Sequence, residues 1–312
     1  MSVIVTGVAG FIGSHLARRL LDEQAGDVVG LDCFTDYYDR GAKRTNLAGL
    51  MNEPRFRFEQ LDLATDDLEA VLSGASCVYH LAGQPGVRMS WGDGFAGYVR
   101  NNIVATQRLL EAMRGGSARI VFASSSSVYG DTDRYPTPED SVLQPSSPYG
   151  VTKLCAEQLV MAYGRSLGLD ARCVRYFTVY GPRQRPDMAF SRFIAAGRRG
   201  DPIELYGDGE QTRDFTYVSD AVAATVRAGT VDGAAERTPI FNVGGGSRVT
   251  VREVLATIGE ILGTPLDIRR MPPQPGDVRD TGADLSRSSA VLGWRPEVVL
   301  ADGLRAQIEA SA

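Results

Sequence analysis

A glycine-spaced turn near the start of the chain limits its fold more than any other feature. Thr6-Gly7-Val8-Ala9-Gly10-Phe11-Ile12-Gly13 spaces its glycines as G-x-x-G-x-x-G. The turn lies between the apolar run Val3-Ile4-Val5 and a helically spaced stretch from Phe11 to Leu21. Gly7 permits a tight turn, Gly10 lets the backbone close on a pyrophosphate, and Gly13 lets the helix pack near the strand. Such a helix N-terminus offers unpaired N–H groups and partial positive charge to phosphates. Asp32 follows roughly twenty residues on, at the end of the next apolar run. A carboxylate there accepts from a ribose 2′-hydroxyl and repels a 2′-phosphate. Together they predict a dinucleotide site that favours NAD over NADP.

More short apolar runs follow: Val28-Val29-Gly30-Leu31, Phe56 to Phe58, Cys77-Val78-Tyr79 and Ile120-Val121-Phe122. Continuous runs suit strands covered on both faces, and their alternation with helical stretches implies a parallel sheet. Right-handed crossovers then give an α/β, Rossmann-type doubly wound sheet. Past residue 175 the texture changes. Pro182, Pro186, Pro202, Pro272, Pro273 and Pro275 interrupt the chain, and Gly207-Asp208-Gly209 marks a turn. The expected division is a dinucleotide-binding domain over 1–175 with a return segment at about 217–243. A smaller C-terminal substrate-binding α/β lobe takes 176–216 and 244–312.

Composition narrows the function. A net charge of −5, with acids and bases intermixed, speaks against a nucleic-acid footprint. No apolar run approaches the roughly 20 residues that span a bilayer, and no signal peptide is visible, so a cytoplasmic protein is expected. Cys33, Cys77, Cys155 and Cys173 form no C-x-x-C pair, which predicts neither a metal site nor a disulfide framework. His15 and His80 are read as packing residues.

The chemistry is concentrated in Ser146-Ser147-Pro148-Tyr149-Gly150-Val151-Thr152-Lys153. A helix is predicted from Pro148, with Leu154, Leu159, Val160, Tyr163 and Leu167 on its apolar side. Tyr149 and Lys153 stand four apart and share a face. A free phenol, with a pKa of about 10, is a poor base at neutral pH, and a nearby ammonium lowers that value. Tyr149 could then take an alcohol proton while hydride leaves the same carbon. A second hydroxyl-rich run, Ser124-Ser125-Ser126-Ser127, follows a strand, where open parallel sheets place their sites.

In this order, these pieces resemble the extended short-chain dehydrogenase/reductases, the NAD-dependent sugar epimerase/dehydratase family. The likeness covers nearly the whole chain. It includes Thr6 to Gly13, Asp62-Leu63, Leu81-Ala82-Gly83, Asn102 with Thr106, Ser124 to Gly130, Tyr149 with Lys153, Arg175-Tyr176-Phe177 and Arg213-Asp214-Phe215. The resemblance implies an NAD site lined by the glycine turn with Phe11, Ile12, Asp32, Asp62, Leu63, Leu81, Ala82, Gly83, Asn102 and Phe177. Lys43 would reach a phosphate or only solvent. Ser125 and Tyr149 would hold the reacting sugar hydroxyl, with Lys153 on the nicotinamide ribose. Thr178, Arg213 and Asp277 would lie near the nucleotide diphosphate, and Tyr206 would join the substrate set. It also implies a homodimer built from helices near 98–114 and 149–167.

Within the family, 4,6-dehydratases carry an Asp-Glu pair where this chain has Ser126 and Ser127, and decarboxylases of UDP-glucuronate usually have Glu at 127. Phe34 to Asp39, Gln84 to Arg88, Phe177 to Asp187 and Gln274 to Val278 look instead like UDP-glucuronate 4-epimerases. Such an enzyme must hold the sugar carboxylate without supplying an acid, because the transient 4-keto acid loses CO₂ readily. Ser126, Ser127, Arg88, Arg185 and Arg192 are the candidates for that grip. A UDP-glucuronate decarboxylase, a 4-epimerase of another nucleotide sugar, and a catalytically idle nucleotide-binding regulator on the same fold remain the rivals.

Overall fold

A computed structural model describes residues 2–24, 26–232 and 239–311. The return segment expected at 217–243 therefore includes residues 233–238, which lie outside the described ones. The first six strands are β1 (Ser2–Thr6), β2 (Asp27–Asp32), β3 (Phe56–Gln60), β4 (Ala75–His80), β5 (Arg119–Ser125) and β6 (Ala171–Tyr176). The remainder are β7 (Thr178–Tyr180), β8 (Ile203–Tyr206), β9 (Thr212–Tyr217), β10 (Ile240–Val243), β11 (Arg248–Thr250) and β12 (Ile268–Met271). Seven of these form one parallel sheet in the order β10-β6-β5-β4-β1-β2-β3. The order reverses at β1, so a crevice opens at the C-terminal ends of β1 and β4, the place where such sheets bind ligands.

The continuous apolar runs are explained by cores on both faces. Val3, Val5, Val28, Tyr79, Val121 and Val174 point to one face, covered by the helices Phe11–Asp22 and Val218–Thr230. Ile4, Val29, Leu31, Val78, Ile120 and Phe122 point to the other, covered by Ala105–Ala112 and Pro148–Leu167. Only β3, at the sheet edge, stays half exposed along its length.

The rest of the chain builds a lobe beside the strand ends. β7 runs parallel to β9, β11 antiparallel to β9, and β8 pairs with β12. Phe190, Phe193, Phe215, Val254, Ile258 and Leu304 fill its core. Its helix Val251–Leu262 begins with a reciprocal capping box between Thr250 and Glu253, the kind of cap worth about 1 kcal/mol.

The helix Pro148–Leu167 starts as its sequence predicts. Proline sits in the first turn, and Ser147 Oγ accepts from the Gly150 N–H at 3.1 Å. Its inner face is the expected one at Val160 but not elsewhere. Gly150, Thr152, Lys153, Ala156, Glu157, Val160, Met161 and Gly164 are buried, whereas Leu154, Leu159 and Tyr163 are flanking and Leu167 is 51% exposed. Small residues allow close approach to the sheet, and two charged residues are buried because partners within the protein receive them.

Candidate active site

The glycine turn has the shape its spacing predicts. Gly7 adopts a φ of +70°, and a Cβ there would lie 2.8 Å from the Ala82 nitrogen, just past the end of β4. A Cβ on Gly13 would fall 2.2 Å from the Gly7 carbonyl oxygen. Gly10 begins the helix without any side-chain cap, so the first N–H groups face the crevice uncompensated. Such an uncapped, side-chain-free cradle fits a dinucleotide pyrophosphate.

Asp32 anchors this turn. Its carboxylate accepts from the Ala9 N–H at 3.1 Å and the Phe34 N–H at 2.8 Å, while Asn46 donates to the Ala9 carbonyl at 3.0 Å. Lys43 lies buried 3.9 Å from Asp32 and donates to both Thr35 oxygens at 3.1 Å, so it is not a solvated surface charge. Asp62 receives Arg100 at 2.6 Å. Ile12, Leu81 and Ala82 are half buried along the crevice and Gly83 is exposed. Phe11, Leu63 and Phe177 turn almost wholly into hydrophobic cores, where their apolar area is better covered than beside a polar cofactor.

A buried polar chain ties the turn to the helix that carries Tyr149. Thr6 Oγ1 lies 2.8 Å from His80 Nδ1, His80 Nε2 lies 3.0 Å from Thr106 Oγ1, and Thr106 donates to the Asn102 carbonyl at 2.6 Å. That last bond leaves Thr106 Oγ1 to accept, so His80 donates from Nε2 and accepts at Nδ1 from Thr6. Asn102 in turn donates to Thr152 Oγ1 at 3.0 Å and accepts from the Gln84 N–H at 2.6 Å. Asn102 sits in a π-helical segment, Val99–Val104, a distortion frequent at functional sites. His80 is thus a hydrogen-bonded strut rather than an apolar packing piece.

Burial lowers the pKa of His80 to about 3, with Lys153 adding to the effect. His15, bonded to the Pro182 carbonyl at 2.9 Å, is lowered to about 4, chiefly by burial. Both folded values lie below the unfolded value of about 6.5, so their contribution to stability is complete above that pH and drains away on acidification. Between pH 6 and pH 5, unfolding free energy is expected to fall by about 1.4 kcal/mol per pH unit for each histidine. Urea titrations of the wild type and His80→Gln across that window check this: the variant should lose one histidine's share of the fall, while Asp214, which burial raises to about 6, opposes the fall in both.

Tyr149 and Lys153 stand four apart on the helix Pro148–Leu167, but the electrostatics differ from expectation. Burial raises the phenol pKa, opposed by a hydrogen bond with Ser125 and by the charge of Arg185. Lys153 lies over the Phe122 ring at 4.5 Å instead of beside the phenol oxygen, and burial lowers its pKa to about 8. The expected depression of the phenol by Lys153 is therefore absent here; Arg185, from another element, is the cation that acts on it. Tyr98 packs edge-on to the Tyr149 ring, with centroids 6.2 Å apart.

The substrate candidates fall into two groups. Ser125 caps a single 3₁₀ turn, Ser126–Val128, and accepts from the Ser127 N–H at 3.1 Å, leaving Ser126 and Ser127 partly exposed near Tyr149. Arg185 joins this group, forked onto Asp187 at 3.0 and 2.9 Å. Arg88 and Arg192 do not. Arg88 stacks on Tyr206 at 4.2 Å and lies 3.5 Å from Asp277, while Arg192 pairs with Glu204, which also accepts from Tyr206. These two were expected at the sugar carboxylate, yet both join the Tyr206 and Asp277 group, because helix and loop geometry of the lobe decides where an arginine reaches. Among the described residues Arg213 donates to the Thr212 and Arg279 carbonyls and contacts no carboxylate. Thr178 opens β7, and Arg279 is paired with Asp208 at 2.9 Å. Among the described residues no group of His, Cys, Asp and Glu could hold a metal ion.

Residues 3–244 match the model of the NAD dependent epimerase/dehydratase family. The chain belongs to that family. One relative of this epimerase/dehydratase is YtcB of Bacillus subtilis, described as an uncharacterized UDP-glucose epimerase. It is 43% identical over 310 residues, covering 99% of this chain and 97% of YtcB. The crystal structure of UDP-glucuronic acid 4-epimerase from Bacillus cereus, in complex with UDP-glucuronic acid and NAD, matches with a TM-score of 0.96 and 41% identity. The match covers 99% of this chain and 98% of that one. MoeE5 in complex with UDP-glucuronic acid and NAD matches with a TM-score of 0.89 and 42% identity, over 100% and 99% of the two chains. In this epimerase/dehydratase, sequence reading missed Asn46, Glu157 and the Arg183–Ser14 bond of 3.1 Å that docks the lobe on the first helix. A charged residue at an inward helical position, as at Glu157, was the available signal; nothing in the sequence pointed to the other two.

Proposed function

We propose that the chain is an NAD-dependent epimerase that inverts C4 of a UDP-hexuronic acid, interconverting UDP-glucuronate and UDP-galacturonate. The observation that carries this reading is the charge of Arg185 acting on the Tyr149 phenol, together with partly exposed hydroxyls at Ser126 and Ser127. Cation and hydroxyls suit a carboxylate, and no acidic side chain replaces the serines. The likeness to proteins crystallised with UDP-glucuronic acid and NAD supports it.

NAD, when bound, accepts hydride from C4 and returns it. The glycine turn and helix N-terminus would hold its pyrophosphate, Asp32 its adenosine ribose, and Lys153 its nicotinamide ribose. Tyr149, bonded to Ser125, takes the 4-hydroxyl proton and later gives it back. Arg185, Ser126 and Ser127 hold the carboxylate so that its bond to C5 stays out of alignment with the C4 ketone, which suppresses loss of CO₂. The Arg88, Tyr206, Arg213 and Asp277 group, with Thr178, receives the nucleotide diphosphate and lets the keto sugar turn over between the two hydride transfers.

The remaining organisation follows from the same reading. The dinucleotide domain takes residues 1–175 with a return near 217–243, and the lobe takes the remainder. Val104 and Val151 stay 40% and 48% exposed on adjacent helices, which supports a homodimer through those helices. A cytoplasmic location fits four free cysteines and a soluble nucleotide-sugar substrate.

Purified protein given UDP-glucuronate, without added NAD, is expected to form UDP-galacturonate at unchanged mass. Mass spectrometry with proton NMR reads both. Release of CO₂ would instead make the protein a decarboxylase, and turnover of UDP-glucose alone would make it a neutral-sugar epimerase.

A further inference from the structure

Beneath the Tyr149–Lys153 pair lies an ion pair that the proposed chemistry does not touch. Glu157 and Arg175 have side chains 0% and 1% exposed. Arg175 forks onto the two carboxylate oxygens at 3.0 and 2.6 Å, and Ser124 donates to the same carboxylate at 2.5 Å. The third arm of Arg175 reaches the Tyr129 hydroxyl at 2.8 Å and the Glu139 carbonyl at 3.0 Å. A buried pair of this kind is often no more stabilising than apolar residues of equal volume, so stability alone gives it no reason to be there.

Its position does. Tyr149, Lys153 and Glu157 follow each other at four-residue intervals along one stripe of the helix. Ser124, which binds Glu157, precedes Ser125, which binds Tyr149. Lys153 lies over the Phe122 ring on β5 and close enough to His80 on β4 and Cys173 on β6 to interact with them electrostatically. The Cys173 thiol is held protonated by burial. Glu157 is thus the nearby carboxylate that offsets the burial of the ammonium.

We propose that Glu157, shared with Arg175, is the positioning residue that keeps Lys153 charged and fixes the end of β5 against the Tyr149 helix. Burial pulls Lys153 down to about 8, and Glu157 is the foremost influence in the other direction. Deleting the carboxylate charge should lower Lys153 further, and freeing the carboxylate from Arg175 should raise it. A merely structural pair has no reason to move the lysine in opposite directions.

The sequence contains only two lysines, Lys43 and Lys153, so the NAD-loaded enzyme carrying ε-¹³C lysine gives two side-chain signals. Lys43→Arg assigns them. In Glu157→Gln, Lys153 is expected to bind its proton about tenfold more weakly, a shift of about one pH unit. In Arg175→Gln it is expected to bind more tightly, with Lys43 unchanged in both. Should Glu157→Gln lose the native Lys43 signal, the double variant Glu157→Leu/Arg175→Met removes the pair without stranding a charge, and Lys153 is expected to bind its proton more weakly in it than in Arg175→Gln. An unmoved Lys153 titration in folded Glu157→Gln, or no difference between the double variant and Arg175→Gln, overturns the proposal. The NMR arm needs no turnover. The alkaline limb of UDP-glucuronate epimerisation, read in the same variants, rests on the proposed function; if the wild type turns over no UDP-glucuronate while Lys153 still shifts, only that function fails.

Discussion

Tyr149→Phe is expected to lower turnover by about 10²- to 10⁴-fold, the usual range for losing a positioned acid–base group. The ring contact with Tyr98 survives the change, because it involves the ring and not the hydroxyl. NAD retention and affinity for UDP-glucuronate should therefore change by less than about tenfold, so the loss falls on the reaction step. Single-turnover kinetics with calorimetric binding separates the two. The phenol of the ligand-free protein is held protonated by burial, so it becomes a base only as a cation such as Arg185 acts on it. A phenylalanine variant that keeps a tenth or more of wild-type turnover would remove Tyr149 from the proton path.

Gly13→Ala is expected to abolish retention of NAD through purification. The new methyl carbon would sit 2.2 Å from the Gly7 oxygen, 2.9 Å from the Gly7 carbonyl carbon and 3.0 Å from Val8 Cα. All three are backbone atoms, so no side chain can swing aside, and the helix must back away from the turn it supports. Overpacking of this kind costs about 1–3 kcal/mol, occasionally more, and the displaced N–H groups lose their aim at the pyrophosphate. Affinity for NAD should fall by about tenfold to a hundredfold or beyond, with a lowered Tm. Gly49→Ala, whose added carbon would meet only an arginine nitrogen at 3.9 Å, is the comparison expected to behave as wild type. Unchanged NAD content in Gly13→Ala would mean that the turn does not hold the dinucleotide.

Much of the site was legible because its chemistry depends on local spacing. Three glycines three apart, an acid at the next strand end, and a tyrosine four before a lysine each encode geometry within one strand–turn or helix turn. Arginines were harder to read. Arg88, Arg185 and Arg192 look alike in sequence, but only Arg185 joins Tyr149 and the serines; the other two meet Tyr206, Asp277 and Glu204. A long side chain finds its partner across the cleft, and that partner depends on how the lobe docks.

The same division runs through the helix Pro148–Leu167. Its start, its proline and the shared face of Tyr149 and Lys153 follow from the residues alone. Which face would be buried did not, because hydrophobicity pointed to Leu154, Leu159 and Leu167 while close packing chose glycine, alanine, Lys153 and Glu157. From the sequence by itself come the parallel sheet, the dinucleotide turn and the tyrosine–lysine pair, since each is set by spacing along a few residues of one chain segment. Tertiary structure alone decided that Glu157 meets Arg175, that His80 links the helix carrying Thr106 to the turn, and that the charge of Arg185 acts on the phenol. Burial makes such unpaired polar groups costly, and only the assembled fold determines which distant group will satisfy each one.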